Sequence, residues 1–288
     1  MTATGIALVL LAALAHATWN LLAKRARAPG PLFVFAYSAV AAVLYLPWAA
    51  VEGWTWLGWS PAAAACLIAS AVLHLAYSLV LQRGYAVADL SVVYPVARGT
   101  GPLVSALAAI AVFTEAASAG RLAGLAAIVA GIVLIASDGG RTRLDSAEGR
   151  RGVAWGLATG ALIAAYTLVD AWGVKRVGIP PVVLDWTANV LRLAMLAPTV
   201  FAKPRALASL GGDWRLAAGV GLLAPLGYIL VLGALERGAP VSAVAPLRES
   251  SMMIGALFGM LLLGERASLP RLGGCAAILL GVALIALA

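Results

Sequence analysis

The sequence predicts an all-α membrane protein of ten transmembrane helices, arranged as two inverted five-helix repeats. Three observations carry that prediction. Of the 288 residues, 63% are apolar and only 11% charged, with a mean hydropathy of +0.98, whereas a soluble domain is about half apolar and a quarter charged. The apolar residues gather into ten runs, each close to the roughly 20 residues that a helix needs to cross a bilayer. Finally, the second half of the chain repeats the first.

The runs fall at about 4–23, 32–51, 61–82, 90–113, 119–137, 152–173, 181–201, 214–235, 240–263 and 268–287, separated by charges and Gly/Pro/Asp turns. The first mimics a signal peptide, since Ala15-His16-Ala17 has the small-x-small pattern of a cleavage site. It lacks a basic stretch after Met1, however, and stays apolar through Trp19 to Ala23, so it reads as a retained helix. The second ends among Trp48, Trp54, Trp56 and Trp59, with no basic residue nearby, as an interfacial belt would. The fourth contains Arg98-Gly99-Thr100-Gly101-Pro102, two glycines and a proline at mid-helix. Either the helix is interrupted there, or the glycines pack closely against the fifth helix. The most prominent polar linker, 138–151, divides the chain into a first repeat (1–137) and a second (152–288).

Residues 121–136 (RLAGLAAIVAGIVLIA) and 271–286 (RLGGCAAILLGVALIA) are identical at ten of sixteen positions. At the same offset Arg98 falls on Arg248 and Glu115 on Glu265. Ser91/Ser242, Pro95/Pro246, Lys24/Lys175, Arg25/Arg176 and Pro29/Pro180 match one residue further on. Chance agreement between Ala/Leu-rich helices does not extend to matched charges and prolines. Five helices is an odd number, so the second copy enters the membrane from the opposite side. Such folds place a site at mid-membrane between the repeats, which points to transport.

The composition excludes soluble enzymes, nucleic-acid modules and secreted disulfide scaffolds. The net charge of +8 resides mainly in short loops, where basic residues set orientation and meet anionic headgroups. Cys66 and Cys275 lie in apolar runs and behave as small hydrophobes. Two histidines and scattered carboxylates form no metal-binding motif, and no nucleophile–base set appears, so no cofactor, metal or enzymatic activity is expected. Loops after odd-numbered segments, counted with the first turn of the helix that follows, hold thirteen Lys and Arg, and those after even-numbered ones four. Positive-inside therefore puts both termini outside.

The ten-helix pattern, read with particular stretches, resembles the drug/metabolite transporter superfamily, specifically its EamA-type branch. Those stretches are SVVYPVARGTGPLVSALAAIAVFTE followed by GRLAGLAAIVAGIVLIA, and their repeat SAVAPLRESSMMIGALFGMLLLGERASLPRLGGCAAILLGVALIA. The early proline in segments four and nine, Gly264-Glu265 closing segment nine, and the Gly-rich fifth and tenth segments carry the likeness. The resemblance implies a carrier in a bacterial inner membrane, with helices 1, 3, 4, 6, 8 and 9 around the substrate and helix 7 peripheral. It also implies termini inside, against the loop count.

Three arginines remain inside helices beyond the first turn: Arg98, Arg192 and Arg248. Glu249 is the deep acid, with Asp170 and Asp185 nearer helix ends. Each mid-bilayer charge costs about 2.5–3.5 kcal/mol on insertion scales and needs a partner or a wet cavity. Arg98 and Glu249 are expected to bridge the repeats, either as a lock or as a gating pair. Arg248 points about 100° away from Glu249 on a helix, which leaves a surplus cation for a substrate carboxylate or phosphate. His16, Trp19 and Asn20 share one face of the first helix. His74 and Tyr77 follow on the third; Ser91, Tyr94 and Arg98 on the fourth; Tyr166 and Asp170 on the sixth; and Tyr228 on the eighth.

Among these, Arg98, Arg248, Glu249, His16, Trp19, Asn20, Tyr77, Tyr94 and Tyr228 are the substrate-binding candidates. Glu249, His74 and Asp170 are the candidates for gating or proton coupling, with His16 a further possible proton carrier. Asp185, Asn189 and Arg192 share a face of the seventh helix and read as a structural polar stripe. The expected function is alternating-access export of a small polar metabolite, an amino acid or related carboxylate, by a monomer or homodimer. The alternative is a carrier of quaternary-ammonium or other cations, caged by Trp19, Tyr77 and Tyr94 with Glu249 as counter-ion. A lipid flippase is the remaining reading.

Overall fold

In the computed structural model, residues 1–23, 25–26, 30–56, 58–88, 90–137, 147–202, 210–262 and 268–288 are described. Lys24, Pro29, Gly264, Glu265 and linker residues 138–146, all singled out in the sequence, lie outside them, as do the side chains of Ser91 and Pro95. The described helices are α1 (Ala3–Ala23), α2 (Gly30–Thr55), α3 (Pro61–Val87), α4 (Leu90–Val112), α5 (Ala119–Ser137) and α6 (Ala147–Trp172). They continue with α7 (Pro181–Phe201), α8 (Trp214–Glu236), α9 (Val241–Arg248), α10 (Ser250–Leu262) and α11 (Leu269–Leu287). Among the described residues there is no β-strand.

Among the described residues, eight helices are long and apolar enough to cross a membrane. The two remaining segments fall short for identifiable reasons. Asp185, Asn189 and Arg192 dilute the apolar character of α7. Segment nine, expected as one helix over 240–263, is two: α9 ends at Arg248, and Glu249 forms the turn before α10. Pro246 lies within α9, and Glu249 N bonds back to Pro246 O at 2.9 Å in a tightened turn. The break thus falls in segment nine. The glycine-proline stretch of α4 stays helical through Pro102, and its close packing is against α6, where a Cβ on Gly101 would meet Ile163 Cγ2 at 2.7 Å.

Several ends are set by local chemistry. Ser60 caps α3, accepting from Ala63 N at 3.2 Å, with Pro61 in the first turn. Ser118 and Ser268, 150 residues apart, cap α5 and α11 by accepting from Arg121 N (3.2 Å) and Arg271 N (3.3 Å). Helix α6 runs into a π-helical turn, Gly173–Val177, closed by Gly178 at φ 75°, a left-handed value that suits glycine.

Burial is inverted relative to a soluble protein. Val43 is 72% and Trp54 88% exposed, while Arg98, Asp170, Arg248 and Glu249 are buried. Interior positions are rich in Ala and Gly, which let membrane helices approach closely. The tightest approach is the seam between α5 and α11. A Cβ on Gly124 would meet Gly281 O at 2.7 Å and one on Gly281 would meet Gly124 O at 2.6 Å; Gly131 and Gly274 relate in the same way, at 2.6 and 2.7 Å. Position 124 opposes 281 and 131 opposes 274, so the helices run antiparallel. Because Gly124 and Gly131 align with Gly274 and Gly281 in sequence, the contact exchanges equivalent positions, as a two-fold axis between inverted repeats requires. Elsewhere the packing follows the same logic: α2 pairs with α7, and the contact of α1 with α8 is matched by that of α3 with α6.

The halves are also tied at one end. The Glu115 carboxylate accepts from Val241 N (2.7 Å) and Ser242 N (2.9 Å) at the start of α9, where the helix dipole favours an anion. Lys175 Nζ lies 3.9 Å from Glu115 and donates to Ala239 O at 2.7 Å.

Candidate functional site

A cavity of about 130 Å³ lies among α1, α2, α3, α4, α6, α7, α8 and α9. Its walls include His16, Trp19, His74, Tyr77, Arg98, Tyr166, Tyr228 and Arg248 from the sequence reading. They also include Tyr37 of α2 and Asp185, Asn189 and Arg192 of α7. Helix 7 is therefore not peripheral; its polar stripe faces the cavity.

The basic end is built by Arg98, Arg248 and Glu249. Arg98 Nη1 donates to Glu249 Oε1 at 3.3 Å and to Oε2 at 3.4 Å. Arg248 Nε stands 3.6 Å from Oε1 of the same carboxylate but has no hydrogen-bond partner among the described residues. Arg98 also contacts His16 Nε2, and its guanidinium lies 5.5 Å from the centre of the Tyr94 ring. Two guanidiniums thus share one carboxylate. Arg248 and Glu249 approach one another from neighbouring positions at the α9–α10 turn, despite the roughly 100° between successive side chains on a helix.

Beside it stands an aromatic group. His74 stacks on Tyr166 with ring centres 4.1 Å apart and meets Tyr228 edge-on at 5.2 Å. Tyr77 meets Tyr166 at 5.6 Å. Asp170, fully buried behind the rings, organises them: its Oδ2 is 2.9 Å from His74 Nε2 and accepts from the Tyr228 hydroxyl. On α1, Trp19 packs edge-on against His16 at 4.9 Å.

Four candidates stand behind the walls rather than in them. Glu249 and Asp170 hold residues that line the cavity, Tyr94 supports Arg98, and the Asn20 amide donates to His16 O at 2.7 Å within its own helix. The α7 stripe and Tyr37 were not among the sequence's site candidates. The i, i+4, i+7 spacing of Asp185, Asn189 and Arg192 signalled a face, though not what it faces. Among the described residues no group of three or more His, Cys, Asp or Glu is arranged to hold a metal ion.

An interior site walled by eight helices, with fixed charges inside an apolar shell, is the architecture of a membrane carrier. Comparisons with known proteins agree. The model of the EamA-like transporter family matches the chain twice, over residues 3–137 and 150–287. No curated protein matches it. A crystal structure described only as that of a protein superposes with a TM-score of 0.81, covering 100% of this chain and 98% of the other at 16% identity, a likeness of fold. The two family matches span nearly the whole chain, one in each half, and the protein belongs to the EamA-like transporter family, within the drug/metabolite transporter superfamily.

Proposed function

We propose that this chain is a ten-span, inverted-repeat carrier (repeats 1–137 and 152–288) in a bacterial cytoplasmic membrane, with both termini outside. It exports a small polar metabolite, an amino acid or related carboxylate, by alternating access. The observation that carries this reading is that Arg98 and Arg248 share the single carboxylate of Glu249. The basic end keeps one uncompensated positive charge, and in a medium where burying an unpaired ion is costly a substrate anion completes it. Arg248, whose Nε lacks a hydrogen-bond partner, receives the anion. Tyr77, Tyr166, Tyr228 and Trp19 pack the body of the solute. Glu249 gates by exchanging arginine partners between states, and the Asp170–His74 pair is the candidate proton path.

The size supports a small solute. An engineered cavity of about 150 Å³ holds benzene, whereas drug-sized ligands occupy about 300–1,000 Å³. The cation-carrier alternative needs Glu249 free and Tyr94 open. Glu249 is engaged by two arginines and Tyr94 faces one of them, which favours the anion reading.

The test is thermal unfolding of the detergent-purified protein with amino acids, organic and phosphorylated anions, and quaternary amines. A ligand at 100 times its Kd adds about 2.7 kcal/mol. Stabilisation by carboxylates that disappears in Arg248→Ala is expected. Stabilisation by choline-like cations instead would overturn the anion site.

A further inference from the structure

The two membrane faces of the molecule are packed to different degrees. Inversion puts the C-terminal ends of the equivalent helices α3 and α8 on opposite faces, and likewise those of α1 and α6. Residues 231–235 of α8 are all buried, whereas their counterparts in α3 include half-buried Val80 and Leu81 and exposed Arg83. Asp170 and Ala171 of α6 are buried, with Gly173 and Val174 of its π-helical turn, whereas none of residues 18–23 in α1 is. The molecule is shut where α6 and α8 end and looser where α1 and α3 end.

The shut face carries the contact that Glu115 makes between the halves. Its carboxylate accepts from Val241 N at 2.7 Å and Ser242 N at 2.9 Å. Lys175 Nζ lies 3.9 Å from it and donates to Ala239 O. Each part is joined to a helix that also carries a charge of the candidate site. Helix α4, ending just before Glu115, bears Arg98; α6, running into the turn with Lys175, bears Asp170. Helix α9 starts at Val241 and ends at Arg248, about 10.5 Å further along its axis. Two features mark this contact as one that is made and released. Thr114, just before Glu115, has φ 53°, the one positive value outside glycine among the described residues; in a β-branched residue that is strain. The Ser242 hydroxyl and Arg121 Nε, on residues lining a cavity of about 10 Å³ there, are buried without a hydrogen-bond partner among the described residues. Exposure to water satisfies such groups.

We propose that Glu115, Lys175 and the start of α9 are the latch of the shut face. The latch holds while the cavity is open at the other face, and it parts when the carrier turns over. Parting frees α4, α6 and α9 together at the end where the cavity must next open, and the strain at Thr114 favours release. This rests on the alternating-access reading; with both termini outside, the latched face is the outer one. Glu115 stands outside the cavity walls, so the latch sets which face is open and leaves the cavity's own contacts with the solute intact.

The experiment measures how fast one cavity cysteine is labelled from each side of the membrane. Cys66→Ala and Cys275→Ala remove the native thiols, and Val231→Cys places the reporter in the cavity wall. The probe is 2-sulfonatoethyl methanethiosulfonate, a small membrane-impermeant anion, applied to right-side-out and to inside-out vesicles of the expressing cells. A minor conformation populated to about 10% or less makes the reporter react about tenfold or more faster from one side. Glu115→Ala is expected to raise the slow side severalfold without raising the fast side, and Lys175→Met to do the same to a smaller extent. Thr114→Gly, which accepts the positive φ without strain and keeps the contact, is expected to slow that side further. An unchanged slow side in Glu115→Ala overturns the latch. So does an equal rise on both sides, which general loosening gives. A slow side that rises in Thr114→Gly overturns the role given to the strain. Equal rates from both sides before any latch substitution, or no labelling from either, overturn instead the underlying reading of a carrier with one face closed. Should Glu115→Ala not be monodisperse by gel filtration, Lys175→Met decides by the same outcomes.

Discussion

The repeats meet in two very different ways. Along α5 and α11 the contact is dry, close and reciprocal: Gly124 faces Gly281, Gly131 faces Gly274, and each glycine's missing Cβ is the space that its partner's carbonyl fills. Around the cavity the repeats meet through unlike residues. At the 151-residue offset Tyr77 and Tyr228 still correspond, but His16 corresponds to Thr167, Trp19 to Asp170, His74 to Pro225, Asp185 to Val34 and Arg192 to Ala41. Arg98 corresponds to Glu249 at that offset, so the ion pair joins equivalent positions carrying opposite charges. Symmetry is kept where the halves must pack as copies, and lost where a solute without two-fold symmetry must be held.

The seam should be the least forgiving region. Gly131→Ala brings a Cβ to within 2.6 Å of a backbone oxygen that cannot swing aside. We expect a loss of more than about 4 kcal/mol, in the range reserved for severe core defects, seen as the absence of a monodisperse peak. Next comes the charge cluster. Glu249→Leu leaves two buried arginines without a carboxylate and should cost about 3–5 kcal/mol. Restoring part of that loss by adding Arg98→Met would show in a double-mutant cycle that pairing, not packing, is responsible.

Smaller effects follow at the edges of the comparison. Asp170→Asn weakens the contacts that hold His74 and Tyr228; a cost of about 1–3 kcal/mol, measured as a lowered Tm, is expected together with weaker solute binding. Glu115→Ala removes the cap of α9 and should cost about 1–2 kcal/mol with solute Kd unchanged, since Glu115 lies outside the cavity walls. Asn20→Ala should be almost silent, within about 0.5 kcal/mol, because among the described residues its amide bonds to a carbonyl of its own helix. A large loss of solute binding in Asn20→Ala would mean that the cavity extends further along α1 than its walls indicate.

How far the sequence could be read differs between the two regions for a physical reason. The repeat was legible because Gly124 and Gly131 recur as Gly274 and Gly281 in two aligned stretches, but that these glycines face one another across a seam came only from the structure. The partnership of Arg98 with Glu249 was legible because a buried cation needs a buried anion and few were available. The position of the helix break was not. Gly99, Gly101 and Pro102 suggested one in α4, but packing against Ile163 and the rest of α6 keeps that helix continuous. The turn at Glu249 had no such signal: Pro246, three residues before it, read as an ordinary early proline of segment nine.

The role of α7 was misjudged for a related reason. A periodic stripe identifies one side of a helix, and the resemblance to relatives placed that helix at the margin. Hydropathy, repetition and the scarcity of interior charges are properties of the chain itself, and they determined the membrane class, the division into two repeats and the short roster of ionisable residues. Which of those residues share a cavity was decided only by tertiary structure. Rotation of a helix about its axis decides whether Asp185 faces lipid, another helix or water, and that rotation is set by contacts from helices far away in sequence.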